Sequence, residues 1–506
     1  MKAHLLYADR DLDFDPQAVL AESELEQDLE LGALLGAMAG ADDYLRAIAR
    51  TVLLDGLRTP QEIAYRQDIL DDCTRQPDIP VAIYRLATQT IQAEHQVWGG
   101  LFSSASYTLH RSMQVMELFV AALRQLRTLA SEHREHVTSA GLRQLFDMLA
   151  AELSDEYLSE IEDHLTRLRF RGGMLLSARL TSSNKGTDYV LRKLPDSRPG
   201  IRGMLSAGRG RPGSTLVVAD RDISGQRTLS DLRDKGTELV ADALAQSCAH
   251  ILSFFEMLRR ESAFYVGCVA AHDALVARGQ PVCRPGALPG GTHQLAASGL
   301  YDPALALTLD GPVIGNEVAA DGAALVMVTG ANQGGKSTFL RSVGLAQLMT
   351  QCGMFAPASS FRSSISTGIF THYKRSEDRS MTSGKLDEEL ARMSEITRAI
   401  RPGGLLLCNE SFAATNEREG SHLARSITRA LLDSGVRVVF VTHFHDLASG
   451  FYRDDRADAL FLRAVPEPDG TRTYRITEGP PMQTGHAADV FQHVFGEPLV
   501  QTAATR

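Results

Sequence analysis

ALVMVTGANQGGKSTFLRSVGLAQLMTQ, running from Ala324 to Gln351, is the stretch on which the reading of the chain turns. Its first six residues, Ala324 to Thr329, are apolar and rich in β-branched side chains, which predicts a strand buried on both faces. Residues Lys336 to Gln351 carry a helical pattern. Between them Gly330, Asn332, Gly334, Gly335, Lys336 and Ser337 fit the spacing GxxxxGK(S/T). After a strand and before a helix, such a loop turns its backbone N–H groups toward phosphate oxygens, and the helix adds the positive end of its dipole. ATP is the expected ligand, with Lys336 along the β- and γ-phosphates, Ser337 on Mg²⁺ and Thr338 in the first turn.

Two further strands point to the same edge. Leu405-Leu-Leu-Cys-Asn409-Glu410 is an apolar run ending in an acid, and Glu410 there would orient the attacking water. Val436 to Val441 delivers Thr442 and His443, and His443 would sense the γ-phosphate. Open α/β sheets gather ligands at the carboxyl ends of their strands. The catalytic candidates are therefore Lys336, Glu410 and His443.

Upstream the texture changes. From about Glu24 to Leu168 apolar residues recur at helical spacing, as in Leu118, Ala121, Ala122, Leu126 and Leu129. Arg167 to Gly213 is rich in Gly, Ser and Pro and holds eleven Lys/Arg against two Asp. Its short apolar runs, Met174 to Leu180, Tyr189 to Leu194 and Thr215 to Ala219, predict hairpin strands. Helical spacing resumes from about Thr228 to Ala277, and the Pro/Gly stretch Gln280 to Gly291 reads as a linker. The expectation is a multidomain chain. A mainly α-helical core and lever domain spans 1–285, with a basic strand-containing insert at about 167–220. A C-terminal α/β P-loop ATPase domain with a mainly parallel sheet spans 286–506.

Composition narrows the function. A net charge of −10 excludes a uniformly basic nucleic-acid binder, so any DNA contact is local to the basic segment. No apolar run reaches the roughly 18 residues of a membrane span, and the acidic N-terminus does not resemble a signal peptide, so a cytoplasmic protein is expected. The six cysteines lie far apart without a CxxC pair and read as reduced thiols.

VMVTGANQGGKSTFLRSVGLAQLMTQCGMFAPA, NESFAATNEREG and VTHFHDL resemble the ATPase domain of the MutS family of DNA mismatch-repair proteins, and Arg58 to Cys73 is similar to the start of that family's helical core. The resemblance implies head-to-tail homodimerisation through the ATPase domains. Each nucleotide would be closed by a loop of the opposite subunit, here Ser380 to Glu389. Ser383 and Gly384 would present a hydroxyl and an N–H to the γ-phosphate, with Lys385 adding charge; a capped helix start fits the same residues. Three departures stand out. Asn409 replaces the family's usual aspartate, leaving a neutral partner for Mg²⁺ and implying slow hydrolysis. The N-terminus is expected to have no room for mismatch-reading domains and carries no FxE wedge, and the FxE strings elsewhere in the chain, at Phe254 within a helical pattern and at Phe495 near the C-terminus, read as coincidence. The chain ends soon after the ATPase domain, so a reduced family member is expected.

The leading expectation is a dimeric, Mg²⁺-dependent ATPase clamp acting in mismatch repair or on branched DNA, touching DNA through Arg167 to Arg211. The alternative is a nucleotide-gated protein-interaction module without direct DNA binding.

Overall fold

The computed structural model describes residues 1–13, 24–97, 104–171, 173–183, 185–192, 217–219, 221–330, 333–375, 384–464 and 473–482. Asn332, Ser380 and Ser383, and most of the basic stretch beyond Arg192, lie outside these residues. The chain forms two compact units. One comprises 1–3, 82–136 and 143–259; the other comprises 4–81, 137–142 and 260–506.

The first unit is helical. It contains most of α5 (Asp78–Gln96), α6 (Ala105–His133), most of α7 (Ala140–Glu152), α8 (Asp155–Leu168) and the greater part of the 54-residue α9 (Ile223–Val276). Ser104 and Ser154 cap α6 and α8 by accepting the N–H of Tyr107 and Tyr157. Phe119 of α6 packs on Phe255 of α9 at 5.9 Å, so the first FxE string is a buried helical pair. The hairpin β1 (Leu175–Leu180) and β2 (Gly186–Arg192) is antiparallel, where the alternating turn residues predict it. Its Leu176 lies so close to α9 that a Cβ at Gly236 would sit 2.3 Å from that side chain.

The second unit carries α1 (Glu24–Asp28), α2 (Leu31–Ala39), α3 (Asp43–Leu54) and α4 (Pro60–Arg75) ahead of two sheets. Four strands, β3 (Gly286–Leu288), β4 (Leu295–Leu300), β5 (Asn316–Ala319) and β7 (Ser360–Ser364), form one sheet in the order β3-β7-β4-β5. Gln280 to Gly291 is therefore not the linker expected from its composition. Cys283 exchanges both backbone hydrogen bonds with Ala356, Gln280 is buried, and β3 pairs with β7. Its prolines and glycines set turns at a sheet edge and leave the intervening groups free to pair.

The other sheet runs β12-β11-β6-β10-β9-β8, from β12 (Ile476–Glu478), β11 (Ala459–Ala464), β6 (Leu325–Gly330), β10 (Arg437–Val441), β9 (Leu405–Asn409) and β8 (Ile369–Tyr373). All neighbours are parallel except β12. On one face Met327, Leu406, Cys408 and Phe440 meet Ala424 of α13 (Glu417–Asp433) and Phe451 of α14 (His445–Arg453). α11 (Lys336–Gln351) is buried on nearly all sides, as its apolar surface requires. Its C-terminal end is held by the wholly buried Arg66 of α4, which donates to the carbonyls of Cys352 (3.2 Å) and Leu6 (2.7 Å). That cation opposes the negative end of the helix dipole. α10 (Pro303–Thr308) and α12 (Lys385–Ala399) complete this unit's described helices. Among the described residues no helix is long and apolar enough to cross a membrane.

Candidate nucleotide site

Strand β6 ends at Gly330, whose φ of 118° and whose contact with the next strand both require glycine: a Cβ there would lie 2.6 Å from the Ala464 carbonyl. Gln333 and Gly335 also have positive φ, 59° and 88°, and Gly335 is the N-cap of α11. The chain thus turns sharply from strand to helix, with Gly334 half-buried in the turn. Lys336 folds back so that its Nζ donates to the Gly330 carbonyl at 2.9 Å, and it is buried. Burial pulls its ammonium below the usual lysine range, and the Glu410 charge works in the opposite sense.

Lys336, Ser337, Thr338, Gly335 and Glu410 all line one cavity of about 770 Å³. That volume suits a nucleotide-sized ligand. Ser337 Oγ donates to Asn409 Oδ1 at 3.0 Å, joining the start of α11 to the end of β9. A hydroxyl beside an amide oxygen is an all-oxygen donor pair of the kind a hard divalent cation accepts, so Mg²⁺ fits these two residues. Three strand ends are cross-tied behind them. Glu410 N–H donates to the Val441 carbonyl, and Thr442 N–H donates to the Val328 carbonyl. His443 Nδ1 stands 3.9 Å from Glu410 Oε2, with its ring edge-on to Phe444.

Glu410 and Phe412 have φ of 54° and 63°, a conformation uncommon for side chains of their kind and concentrated at functional sites. The structure therefore brings Lys336, Ser337, Asn409, Glu410 and His443 to one sheet edge. Gly384 is elsewhere: it is the exposed N-cap of α12 and does not line the cavity.

Sequence reading passed over the opposite wall of the cavity. Asp302 there is buried, receives Arg341 Nε at 2.5 Å and caps α10 through Ala304 and Leu305 N–H. Leu305, Pro312 and Ile314 add an apolar surface. None of these residues belongs to a spaced motif, and only the neighbourhood of Asp302 to Pro303, a helix-capping pair, gave a local signal.

A helical unit joined to an α/β unit with a glycine-turn cavity at the carboxyl edge of a mainly parallel sheet defines an open α/β class of protein, in which ligands gather at that edge. Family models narrow the class. The MutS2 N-terminal domain matches residues 58–278, and MutS domain V matches residues 326–489. The chain belongs to the MutS family.

It is similar to the DNA mismatch repair protein MutS of Chloroflexus aurantiacus, with 29% identity over 46% of this chain and 25% of that protein. The corresponding protein of Alkaliphilus oremlandii is 33% identical over 30% of this chain and 19% of its own. The MutS protein homolog 4 of Mus musculus is 30% identical over 34% and 18%. The aligned part of the chain spans a quarter or less of the length of these relatives.

Proposed function

We propose that this chain binds ATP with Mg²⁺ at the loop from Gly330 to Thr338 and hydrolyses it slowly, as the nucleotide-driven part of a DNA-handling dimer. The observation that carries the reading is the meeting of a buried lysine and a strand-end glutamate on one cavity. Lys336 and Glu410 are remote in sequence yet close enough that the glutamate's charge acts on the lysine.

Each residue has a role that follows from its placement. Lys336 exchanges its bond to the Gly330 carbonyl for phosphate oxygens, and the N–H groups of the turn and of Ser337 and Thr338 face the same oxygens. Ser337 and Asn409 would hold Mg²⁺, which would supply neutralisation of the phosphate charge. Glu410 orients the attacking water, and His443 beside it registers whether the last phosphate is present. The neutral Asn409 makes the metal site weaker than a carboxylate would.

Dimerisation through the ATPase region, and DNA contact by the basic hairpin, are the parts of the proposal that rest on family likeness and on charge. Arg171, Arg179, Lys185 and Arg192 are all exposed. A specific observation also favours the second reading, a nucleotide-gated protein-interaction module. In the helical unit Leu180, Val217, Ile223 and Leu239 are 66–85% exposed, more apolar surface than phosphate contact needs. Mg²⁺-dependent phosphate release by the purified chain tests the core of the proposal. Release is expected in the wild type and not in Lys336→Ala; equal release from both overturns it. Duplex and junction DNA titrated at several salt concentrations separates the two readings, since a DNA clamp loses affinity steeply with salt.

A further inference from the structure

We propose that His372 is a positioning residue for Glu410, one imidazole ring tying the turn that carries the glutamate to helix α12. The proposal rests on Glu410 being the catalytic carboxylate. His372 lies on β8, beside β9, and is fully buried. Its Nε2 is 3.0 Å from the backbone carbonyl of Glu389 in α12. A carbonyl only accepts, so this nitrogen carries the proton. Burial holds the ring neutral by pushing its pKa down to about 4, and Nδ1 therefore presents a lone pair.

Ser411 Oγ stands 2.7 Å from that lone pair and also 2.9 Å from the carbonyl of His372 itself. One hydroxyl proton cannot serve both acceptors. With Nε2 committed to Glu389, only the Ser411 proton can satisfy Nδ1, and the hydroxyl turns to the ring. The ring face meanwhile stacks on Phe412, with centroids 5.5 Å apart and planes inclined by 29°.

His372 thus grips two consecutive residues, Ser411 by hydrogen bond and Phe412 by stacking, immediately after Glu410. Within this turn Glu410 and Phe412 both have left-handed backbone, a conformation that persists only when its surroundings hold it. The other end of the link is α12, which starts at Lys385, within the stretch Ser380 to Glu389 expected to meet a partner subunit. A shift of α12 reaches the Glu410 turn through this ring, beside the direct contact of the Glu389 carboxylate with the backbone of Phe412 and Ala414, with no contact to nucleotide required. A histidine that merely fills the core would affect stability alone.

The test measures single-turnover hydrolysis and ATP affinity on the full chain. His372→Phe keeps the stack and loses both ring hydrogen bonds; Ser411→Ala removes the hydroxyl. Each is expected to slow hydrolysis about tenfold with ATP affinity within about twofold, and the double variant to be no slower than His372→Phe alone, because both break one link. His372→Gln, with an amide donor and acceptor, recovers part of the rate. In ¹⁵N-histidine-labelled wild type, the resonance lost in His372→Gln is expected to report the neutral ring protonated at Nε2. Additive losses, unchanged rates in both variants, or a proton on Nδ1 overturn the proposal. If His372→Phe does not fold, Ser411→Ala, His372→Gln and the tautomer still decide it. Glu410→Gln run alongside separates the failures. Wild-type turnover there removes the catalytic reading itself, whereas an inactive Glu410→Gln with additive His372 and Ser411 losses removes only the link.

Discussion

Lys336 and the cations of the β1–β2 hairpin carry the same charge in opposite settings. Lys336 is 5% exposed, its Nζ placed on a carbonyl by a fixed turn, with a carboxylate close enough to be felt. Arg179 has 85% of its side chain in water and a loose 3.9 Å approach to Asp188. A buried charge is preorganised and little screened, so it can act alone on one phosphate. Exposed charges are screened within about 10 Å at moderate salt and matter only together. The same unit charge is therefore a fixed local field in one place and a share of a diffuse field in the other.

The contrast can be broken at its strong end first. Lys336→Ala is expected to weaken ATP binding or turnover by at least about a hundredfold, read by equilibrium binding and phosphate release. Burial is also expected to dominate where no ligand is involved. Glu261 is fully buried and accepts the N–H groups of Leu5 and Leu12. Burial pushes its carboxyl up to about 7, against the pull of those hydrogen bonds. Because this value lies above that of the unfolded chain, the stabilisation is complete below about pH 4.5 and is lost as pH rises through about 7. The loss over the whole range is roughly 3 kcal/mol. Denaturant unfolding between pH 5 and 8 should show this slope, and Glu261→Gln should flatten it.

At the exposed end, replacing Arg171, Arg179, Lys185 and Arg192 together by alanine is expected to weaken DNA binding about tenfold at physiological salt. The salt slope should fall by about 3 to 4, while any single replacement is nearly silent. An unchanged slope would move the DNA contact elsewhere or favour the protein-interaction reading. Asn409→Asp is the mildest change: a charged partner should lower the Mg²⁺ concentration needed for half-maximal turnover by a few-fold.

The same contrast of settings explains what the sequence let one read. β6, β9 and β10 are buried along their whole length apart from the strand-end Asn409, so Val, Leu and Phe accumulate there and the runs stand out. The four-stranded sheet was missed because its strands are three to six residues long and two of them, Ser360-Phe-Arg-Ser-Ser364 and Asn316-Glu-Val-Ala319, are at least half polar, while the other two consist largely of Gly and Ala. Tertiary pairing, and not local preference, makes them strands. Lys336, Ser337 and Glu410 were legible because glycine spacing and strand ends mark them. Asp302, Arg341 and His372 were not, since a lone polar residue inside an apolar pattern carries no spacing, and only the fold shows what it touches. The cap of α12 falls on Gly384, one residue later than the serine expected there, a shift within the usual play of helix ends.

Single-turnover hydrolysis of pre-bound, radiolabelled ATP by Glu410→Gln tests the meeting of Lys336 and Glu410 on one nucleotide most directly. The variant should retain ATP with wild-type affinity and hydrolyse it at least about a hundredfold more slowly. Hydrolysis at the wild-type rate would contradict the placement of Glu410 at the terminal phosphate.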